Sequence, residues 1–190
     1  PFALGSDTGD SIRKPASYAG LVGMKPTWGR ISRFGLFAFA TSLDHVGYFT
    51  RSVEDAAYAL NLLAGRDLND STSSSKPVDD YTSLLNTSIE GKNIAVIDEI
   101  LDCIKDKTIV DAFNDSLKEL ESLGAKINHI SVPSKVLKTI LPTYMIISNC
   151  ESSSNNACLD GIKYGPRLDG KTYEEVMINS RTKGFSPAIK

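Results

Sequence analysis

The chain has 190 residues, 41% of them hydrophobic and 23% charged, which is the composition of an ordinary soluble globular protein. Its formal net charge of −2 gives no electrostatic reason to expect nucleic-acid binding by this chain itself. No apolar run approaches the roughly 20 residues that a membrane span needs, and no signal peptide is recognisable, so we expect no membrane contact.

Cysteine and histidine usage disfavours a structural metal site. Cys103, Cys150 and Cys158 lack the spacing of zinc ligands, and only His45 and His129 could complete a ligand set. We therefore expect no metal and buried free thiols in a reducing compartment, which favours the cytoplasm.

The first part of the chain predicts a strand, a short helix and one longer helix. Residues 2–4 are apolar and run into a polar turn, which is typical of the end of a buried strand. Residues 11–18 can open a helix that Pro15 limits to about one or two turns. Ser52 then caps a helix with acidic residues in its first turn, and Gly65 ends it.

The second part of the chain predicts a β-α-β unit followed by helices. Residues 93–98 are expected as a buried strand and residues 126–132, which alternate, as a second strand, parallel to the first because a right-handed crossover joins them. A helix interrupted by Pro142 and another at 174–179 follow. The crossover helix, 109–123, is expected to turn its apolar residues inward: Ile109, Ala112, Phe113, Leu117 and Leu120.

These patterns divide the chain into three regions. Residues 1–65 hold the loop discussed next and its flanking motifs, and residues 91–190 hold the β-α-β unit and the later helices. Between them, residues 66–90 form a polar joint, because the stretch from 66 to 80 is rich in Ser and Asp.

The sequence GSDTGDS at residues 5–11 is the stretch that bears most directly on function. Its Asp7-Thr8-Gly9 order is that of an aspartic-protease loop, but that chemistry needs a second carboxylate, and Asp10 replaces the usual Ser or Thr. A phosphate-binding loop is disfavoured because the dinucleotide and Walker spacings are absent. Asp7 and Asp10 would also repel phosphate.

The third interpretation of this loop is a serine nucleophile. Ser11 follows a strand and a Gly-containing turn, and backbone N–H groups of such a turn can converge on an oxyanion. The serine needs a base to accept its proton. Because His129 lies in a predicted strand among apolar neighbours, we expect it to be structural, and a lysine base becomes the alternative to a Ser-His-Asp triad.

A much longer match points to a family. Residues 5–57, GSDTGDSIRKPASYAGLVGMKPTWGRISRFGLFAFATSLDHVGYFTRSVEDAA, resemble almost without a break the hallmark of the amidase signature family. The phrases RDLNDSTS, ESSSN, DGIKYG and SRTKGF are typical of one branch, the A subunits of tRNA-dependent Glu-tRNA(Gln)/Asp-tRNA(Asn) amidotransferases. The resemblance implies an α/β fold with a mixed β-sheet core flanked by helices. It also implies that this chain is a fragment of that domain, truncated at both ends.

The resemblance implies a Ser–Ser–Lys triad, in which lysine deprotonates a bridging serine that in turn deprotonates the nucleophile. The nucleophile corresponds to Ser11, and the oxyanion-hole N–H groups correspond to Thr8, Gly9 and Asp10. In the family, both the lysine and the bridging serine precede the nucleophile, so we expect them before residue 1.

Two further residues are assigned through the resemblance. Arg181, in the phrase SRTKGF, corresponds to an arginine that grips the α-carboxylate of glutamine, a task that suits a guanidinium fork. Tyr144 corresponds to a tyrosine of the substrate pocket. From the residues themselves we expect Arg13 to pair with an acid such as Asp7. We expect Asp44 and Asp55 to hold turns and caps, and Asp55 lies in the helix that begins after Ser52.

Asp10 departs from the family pattern, which has glycine immediately before the nucleophile. Glycine adopts positive φ at little cost, whereas Asp does so less readily. A carboxylate near a developing oxyanion is also unfavourable, unless it points to solvent or pairs with Arg13 or Lys14. Asp10 is therefore either a substitution specific to this lineage or a sign of weakened catalysis.

The function that the resemblance implies is that of a glutaminase subunit in an ATP-dependent ligase of protein biosynthesis. Ammonia released from glutamine would convert Glu-tRNA(Gln) or Asp-tRNA(Asn) into the amidated aminoacyl-tRNA. B and C subunits would be the partners, the charged tRNA would be held mainly by the partner subunit, and ATP and Mg would act there, with no cofactor in this subunit. The alternatives are another amidase-signature hydrolase, or a degenerate subunit that Asp10→Gly would reactivate.

The resemblance also predicts that the 190 residues alone do not hydrolyse glutamine, because the lysine and the bridging serine are not among them. When the purified 190-residue polypeptide is given glutamine, we expect ammonia release no faster than from a Ser11→Ala control. Release that Ser11→Ala abolishes would contradict this account of the base.

Overall fold

The computed structural model describes residues 1–189, which form two compact units. The first unit comprises Pro1–Asp79 together with the residues from Tyr144 on, and the second comprises Asp80–Thr143. The α/β class expected from the sequence is confirmed, since both helices and sheets are present in each unit. No helix within the described range is long and apolar enough to cross a membrane.

The first unit is built on a three-stranded antiparallel sheet with strand order β1-β3-β2. Its strands are β1 (Ala3–Asp7), β2 (Val22–Met24) and β3 (His45–Thr50). Strand β1 extends further than predicted, and its last residue, Asp7, is paired in register with His45. The expectation of a buried strand is wrong at its start, because Phe2 and Leu4 are 46% and 58% exposed. What β1 buries is Asp7, and this fixes the point where the following turn begins.

Helix α1 (Arg13–Ala19) packs directly on this sheet through small residues. A Cβ atom on Gly23 would lie 2.6 Å from the Cβ of Ala16, and one on Gly47 would lie 2.6 Å from the carbonyl oxygen of Met24. Ile12, immediately before the helix, is only 1% exposed. The close approach therefore anchors the turn that joins β1 to α1 at both of its ends.

Helix α2 (Val53–Leu63) confirms the cap predicted at its start. The Ser52 side chain accepts a hydrogen bond from the backbone N–H of Asp55 at 3.0 Å. The fully buried Tyr48 donates its hydroxyl to the carbonyl oxygen of Ala56 at 2.7 Å, which ties β3 to this helix. Gly65 follows the helix with φ of 154°.

The second unit holds the predicted β-α-β arrangement. Strands β4 (Asn93–Ile97) and β5 (Lys126–Ile130) are parallel, as expected, with Val96 opposite His129. The short helix α3 (Asp98–Leu101) and the helix α4 (Lys107–Ser122) lie between them in sequence.

The inward orientation predicted for the apolar residues of this crossover helix is only partly right. Leu117 and Leu120 are half-buried, whereas Ile109 and Phe113 are 54% and 39% exposed and Ala112 is exposed too. A sheet of two strands is too narrow to cover the whole apolar face of α4.

The apolar surroundings expected for His129 are not observed. Its side chain is exposed and pairs with Asp98, with 2.6 Å between Nδ1 and Oδ1. The expectation of buried thiols fails in the same way, because Cys103, Cys150 and Cys158 are all exposed.

Of the two helices at the end of the chain, the first is continuous where an interruption was predicted, and the second is longer than predicted. Helix α5 (Ser134–Ala157) is not interrupted at Pro142, which lies inside it. Helix α6 (Tyr173–Gly184) begins after Thr172, whose side chain accepts from the N–H of Glu175 at 3.2 Å. Pro142 removes one helical hydrogen bond, but 24 residues of helix leave most of the ladder intact.

Candidate active site

The residues between β1 and α1 form a tight turn, which we call the nucleophile turn (residues 8–11). Ser11 lies at its end, is exposed to solvent, and makes no side-chain hydrogen bond to any other residue of the range 1–189. An exposed hydroxyl at a turn is in the position that a nucleophile requires.

The buried carboxylate of Asp7 stabilises the nucleophile turn through hydrogen bonds. Its Oδ2 accepts the backbone N–H of Ile12 at 3.0 Å and the Nε–H of Arg13 at 3.2 Å, while Oδ1 accepts from a terminal nitrogen of the same guanidinium at 3.0 Å. The predicted ion pair of Arg13 with Asp7 is thereby confirmed. Arg13 also donates to the carbonyl oxygen of Gly9, so one guanidinium joins both sides of the turn.

Opposing effects set the pKa of Asp7. Burial by itself raises the pKa of this carboxyl. The hydrogen bonds and the charge of Arg13, together with the N–H group of Ile12, outweigh burial and bring the pKa below the ordinary value of 3.8. Asp7 is therefore an anion at neutral pH and acts as an acceptor for the turn, not as an acid or a base.

Four consecutive N–H groups of the turn, those of residues 8–11, are left without partners among residues 1–189. The backbone N–H groups of Thr8, Gly9 and Asp10 donate no hydrogen bond to any other residue within 1–189. These are the donors that the family resemblance predicts for an oxyanion hole. Such donors stabilise a tetrahedral intermediate when they are held in place before the charge develops.

The structure shows neither of the two unfavourable effects that the sequence raised for Asp10 in place of glycine. Asn86 is the one non-glycine residue with positive φ between 1 and 189, so Asp10 occupies ordinary backbone space. Its carboxylate pairs with Lys14 at 3.2 Å, one of the two partners expected from the sequence. The hydrogen bond that Lys14 donates to Asp10 raises the pKa of Lys14, so this lysine stays protonated and cannot accept the proton of Ser11.

The histidine nearest in the sheet is equally unsuited as the base for Ser11. The Nδ1 atom of His45 lies 2.7 Å from the carbonyl oxygen of Leu43. Burial lowers the pKa of His45, which keeps the ring neutral at pH 7 and engaged with that carbonyl.

Tyr144 of helix α5 is brought against the nucleophile turn. A Cβ atom on Gly9 would lie 2.8 Å from the Tyr144 hydroxyl oxygen, so only glycine leaves room for this contact. The structure thus brings together the predicted turn and the predicted pocket tyrosine.

Arg181 of helix α6 is held by the end of α5. One of its terminal nitrogens, Nη1, donates to the carbonyl oxygens of Asn156, Ala157 and Leu159 at 3.0–3.4 Å. The guanidinium carbon also lies 4.7 Å from the ring centre of Phe185. The Nε and Nη2 atoms donate to no other residue in the described range, so one edge of the fork remains free to bind a carboxylate.

Sequence reasoning missed two residues that bind a loop beside the turn. Glu151 and Asn155, both in the phrase ESSSN, contact residues 39–42. Their spacing of four residues on a helix was the available signal, because it puts both side chains on one face.

Comparisons with known proteins give this chain clear relatives. The Amidase family model matches residues 1–190. The chain is 48% identical over 188 residues to the A subunit of the Glutamyl-tRNA(Gln) amidotransferase of Microcystis aeruginosa, and 46% identical over 189 residues to that of Lacticaseibacillus casei. A crystal structure of the A subunit from Thermotoga maritima superposes with a TM-score of 0.76 and 43% identity, over 82% of this chain.

These matches cover most of this chain but only a minor part of each relative. The matches to the two curated relatives include 99% of this chain but only 38% and 39% of those relatives. The match to the Thermotoga maritima structure includes 34% of that chain. The chain therefore spans about two fifths of the length of the curated relatives that it matches.

Replacing Asp7 with Asn should lower the free energy of unfolding of the full-length protein at pH 7 by about 2–4 kcal/mol, because the buried acceptor loses its charge. The folded-state pKa of Asp7 is depressed, so its contribution is complete above pH 3.8 and is lost as pH falls through the folded pKa. Denaturant titrations at several pH values should therefore show wild type and Asp7→Asn converging below pH 3.8.

The matched control for this measurement is Asp55→Asn, since Asp55 is exposed and the cap expected of it is made by the side chain of Ser52 instead. We expect it to change the free energy of unfolding by less than about 0.5 kcal/mol. A constant gap between wild type and Asp7→Asn at all pH values would contradict the role given to the Asp7 charge.

Proposed function

Because this chain belongs to the amidase family, we propose that it carries the glutaminase chemistry of a tRNA-dependent amidotransferase. The observation that carries the proposal is the nucleophile turn, where an exposed Ser11 follows three unpaired backbone donors. The choice of glutamine is supported by the two curated relatives, each named as the A subunit of a Glutamyl-tRNA(Gln) amidotransferase.

In the proposed reaction the Ser11 hydroxyl attacks the carboxamide carbon of glutamine. The N–H groups of Thr8, Gly9 and Asp10 bind the oxygen that becomes negative in the tetrahedral intermediate. The intermediate expels ammonia after proton transfer to its nitrogen and leaves a glutamyl ester on Ser11. Water then hydrolyses the ester to glutamate and restores the serine.

The proton of Ser11 is assigned to a base outside the turn. Lys14 is engaged by Asp10, and His45 by a backbone carbonyl, so neither is available. By family resemblance, a lysine acting through a bridging serine takes the proton and returns it to the leaving nitrogen.

Arg181 and Tyr144 are proposed to bind the substrate. The free Nε–Nη2 edge of Arg181 has the geometry for two parallel bonds to the α-carboxylate of glutamine. Its other nitrogen is fixed by the end of α5, which holds the fork in place. Tyr144 closes the pocket over Gly9, next to the reacting carbonyl.

The ammonia is proposed to serve a partner. In this assembly the B subunit uses ATP and Mg to amidate Glu-tRNA(Gln) or Asp-tRNA(Asn), the C subunit completes the complex, and this chain needs no cofactor. A net charge of −2 agrees with a chain that leaves most tRNA contacts to its partner. Charged tRNA is consumed in translation, which favours a cytoplasmic location.

Ser11→Ala should abolish glutaminase activity in the full-length protein assayed with its partner subunits. We expect kcat for ammonia release to fall by at least about 1,000-fold, because the acyl-enzyme can no longer form. The matched control is Ser17→Ala on the same segment, whose hydroxyl bonds only the Lys14 carbonyl, and kcat should stay within about twofold.

A full-length complex that releases ammonia equally well with alanine at position 11 would overturn the proposed nucleophile. A complex that hydrolyses other amides but not glutamine would instead favour a different amidase-signature activity.

Arg181→Lys should raise KM for glutamine by about 10-fold or more and change kcat much less, because lysine keeps the charge but loses the fork. Hydrolysis of an amide that lacks the α-carboxylate should be unaffected. The control is Arg167→Lys, which removes an arginine whose terminal nitrogen bonds the Gly161 carbonyl at 3.5 Å. Equal loss of kcat/KM for both amides in the Arg181 variant would show that this arginine serves the fold alone.

A further inference from the structure

The part of helix α5 that belongs to the first unit has one polar face that is half-buried except at Ser148, which is buried. Tyr144, Ser148, Glu151 and Asn155 succeed one another at helical spacing and therefore share this face. Ser148 is only 2% exposed, which marks the face as a packing surface. We call these four residues the α5 face. Its first residue contacts the nucleophile turn directly, at Gly9.

The last two residues of the α5 face hold the loop 39–42. The N–H of Ser42 donates to a Glu151 carboxylate oxygen at 2.9 Å. The side-chain amide of Asn155 donates to the carbonyl oxygen of Phe39 and to the hydroxyl of Thr41, both at 3.1 Å. Hydrogen bonds from Ser42 lower the pKa of Glu151, so its carboxylate remains charged and available to the loop at neutral pH.

Asp44 connects this loop to the nucleophile turn. Its carboxylate accepts the N–H groups of Phe39 at 2.9 Å and of Ala40 at 3.1 Å. The same carboxylate accepts the hydroxyl of Thr8 at 2.5 Å. With 3% of its surface exposed, Asp44 makes these bonds away from bulk water, where bonds to an anion are strong.

From this chain of contacts we infer that Asp44 is a positioning residue for the nucleophile turn, and that the α5 face holds Asp44 in place through the loop 39–42. The inference rests on the proposed glutaminase function. It goes beyond that function by assigning the alignment of the oxyanion donors to Asp44, Glu151 and Asn155, none of which is placed against the substrate or Ser11.

The Thr8 hydroxyl shows why such positioning matters. A threonine hydroxyl that lacks a partner can bond the backbone N–H two residues further on. At Thr8 that N–H belongs to Asp10, one of the three donors proposed for the oxyanion. By engaging the hydroxyl, Asp44 keeps it off the donor and fixes the turn at a second point besides Asp7.

Thr8→Val tests the link in the full-length protein assayed with its partner subunits, because valine keeps the shape and removes the hydroxyl. We expect kcat for glutamine to fall by about 10-fold with KM within about twofold, and Thr8→Ser to restore most of the rate. Asp44→Asn should lower kcat at least as much, and the Thr8→Val/Asp44→Asn double variant should be no worse than Asp44→Asn alone.

The outer contacts should give a smaller effect of the same kind. Glu151→Gln should lower kcat by about threefold to tenfold, again with little change in KM, since its bond to Ser42 is partly exposed to solvent. Glu174→Gln, an exposed acid of helix α6, is the matched control and should leave both constants unchanged.

Hydrogen exchange of the full-length protein provides a readout that does not depend on glutaminase activity. In Glu151→Gln the amides of Ser42, Ala40 and Ile12 should all exchange faster than in wild type, the last because the clamp on the turn loosens. Faster exchange at Ser42 alone, or a Thr8→Val enzyme with wild-type kcat, would overturn the inference. If exchange spreads to Ile12 but wild type shows no glutaminase activity, the positioning holds and the proposed function fails.

Discussion

The buried carboxylate of Asp7 is the interaction on which the site depends. It ends strand β1, and it accepts the first N–H groups of the segment that becomes helix α1. Arg13 balances its charge and reaches back to Gly9, so the chain must reverse direction within a few residues. Without this anion, the N–H groups of Ile12 and Arg13 would lose their acceptor.

Much of the long sequence match has a direct structural reason around this turn. Gly23 lets α1 approach the sheet, and Gly47 leaves room for the carbonyl oxygen of Met24 in the neighbouring strand β2. In RDLNDSTS, Asp67 accepts the Ser32 hydroxyl at 2.6 Å and Asp70 accepts the Arg33 N–H at 2.8 Å. The phrase therefore holds the segment that leads into the loop 39–42. Residues far apart in the chain therefore stabilise one small region.

Local signals predicted the elements well and the contacts between them poorly. The Ser52 cap and the parallel pair of β4 and β5 follow from neighbouring residues, and the structure confirms both. The bond from Ser42 to Glu151 joins positions 109 residues apart, and no periodicity encodes it. Helical period likewise shows which face of α4 is apolar, but not whether anything covers it, and Phe113 is exposed. The strand and turn before Ser11 suggest a nucleophile as one of three interpretations, and only the family resemblance favours it over the others, because a single serine has no pattern of its own.

The arrangement of carboxylates answers the electrostatic objection to three acids beside an oxyanion. Asp7 is neutralised by Arg13, Asp10 by Lys14, and Asp44 spreads its charge over two N–H groups and a hydroxyl. Each anion is thus occupied by donors that are not the backbone N–H groups of residues 8–10. Preorganised catalysis requires donors that stay unpaired until the substrate arrives, and unpaired donors destabilise a turn. Here the surrounding acids stabilise the turn through other groups, and the three donors are left for the reaction.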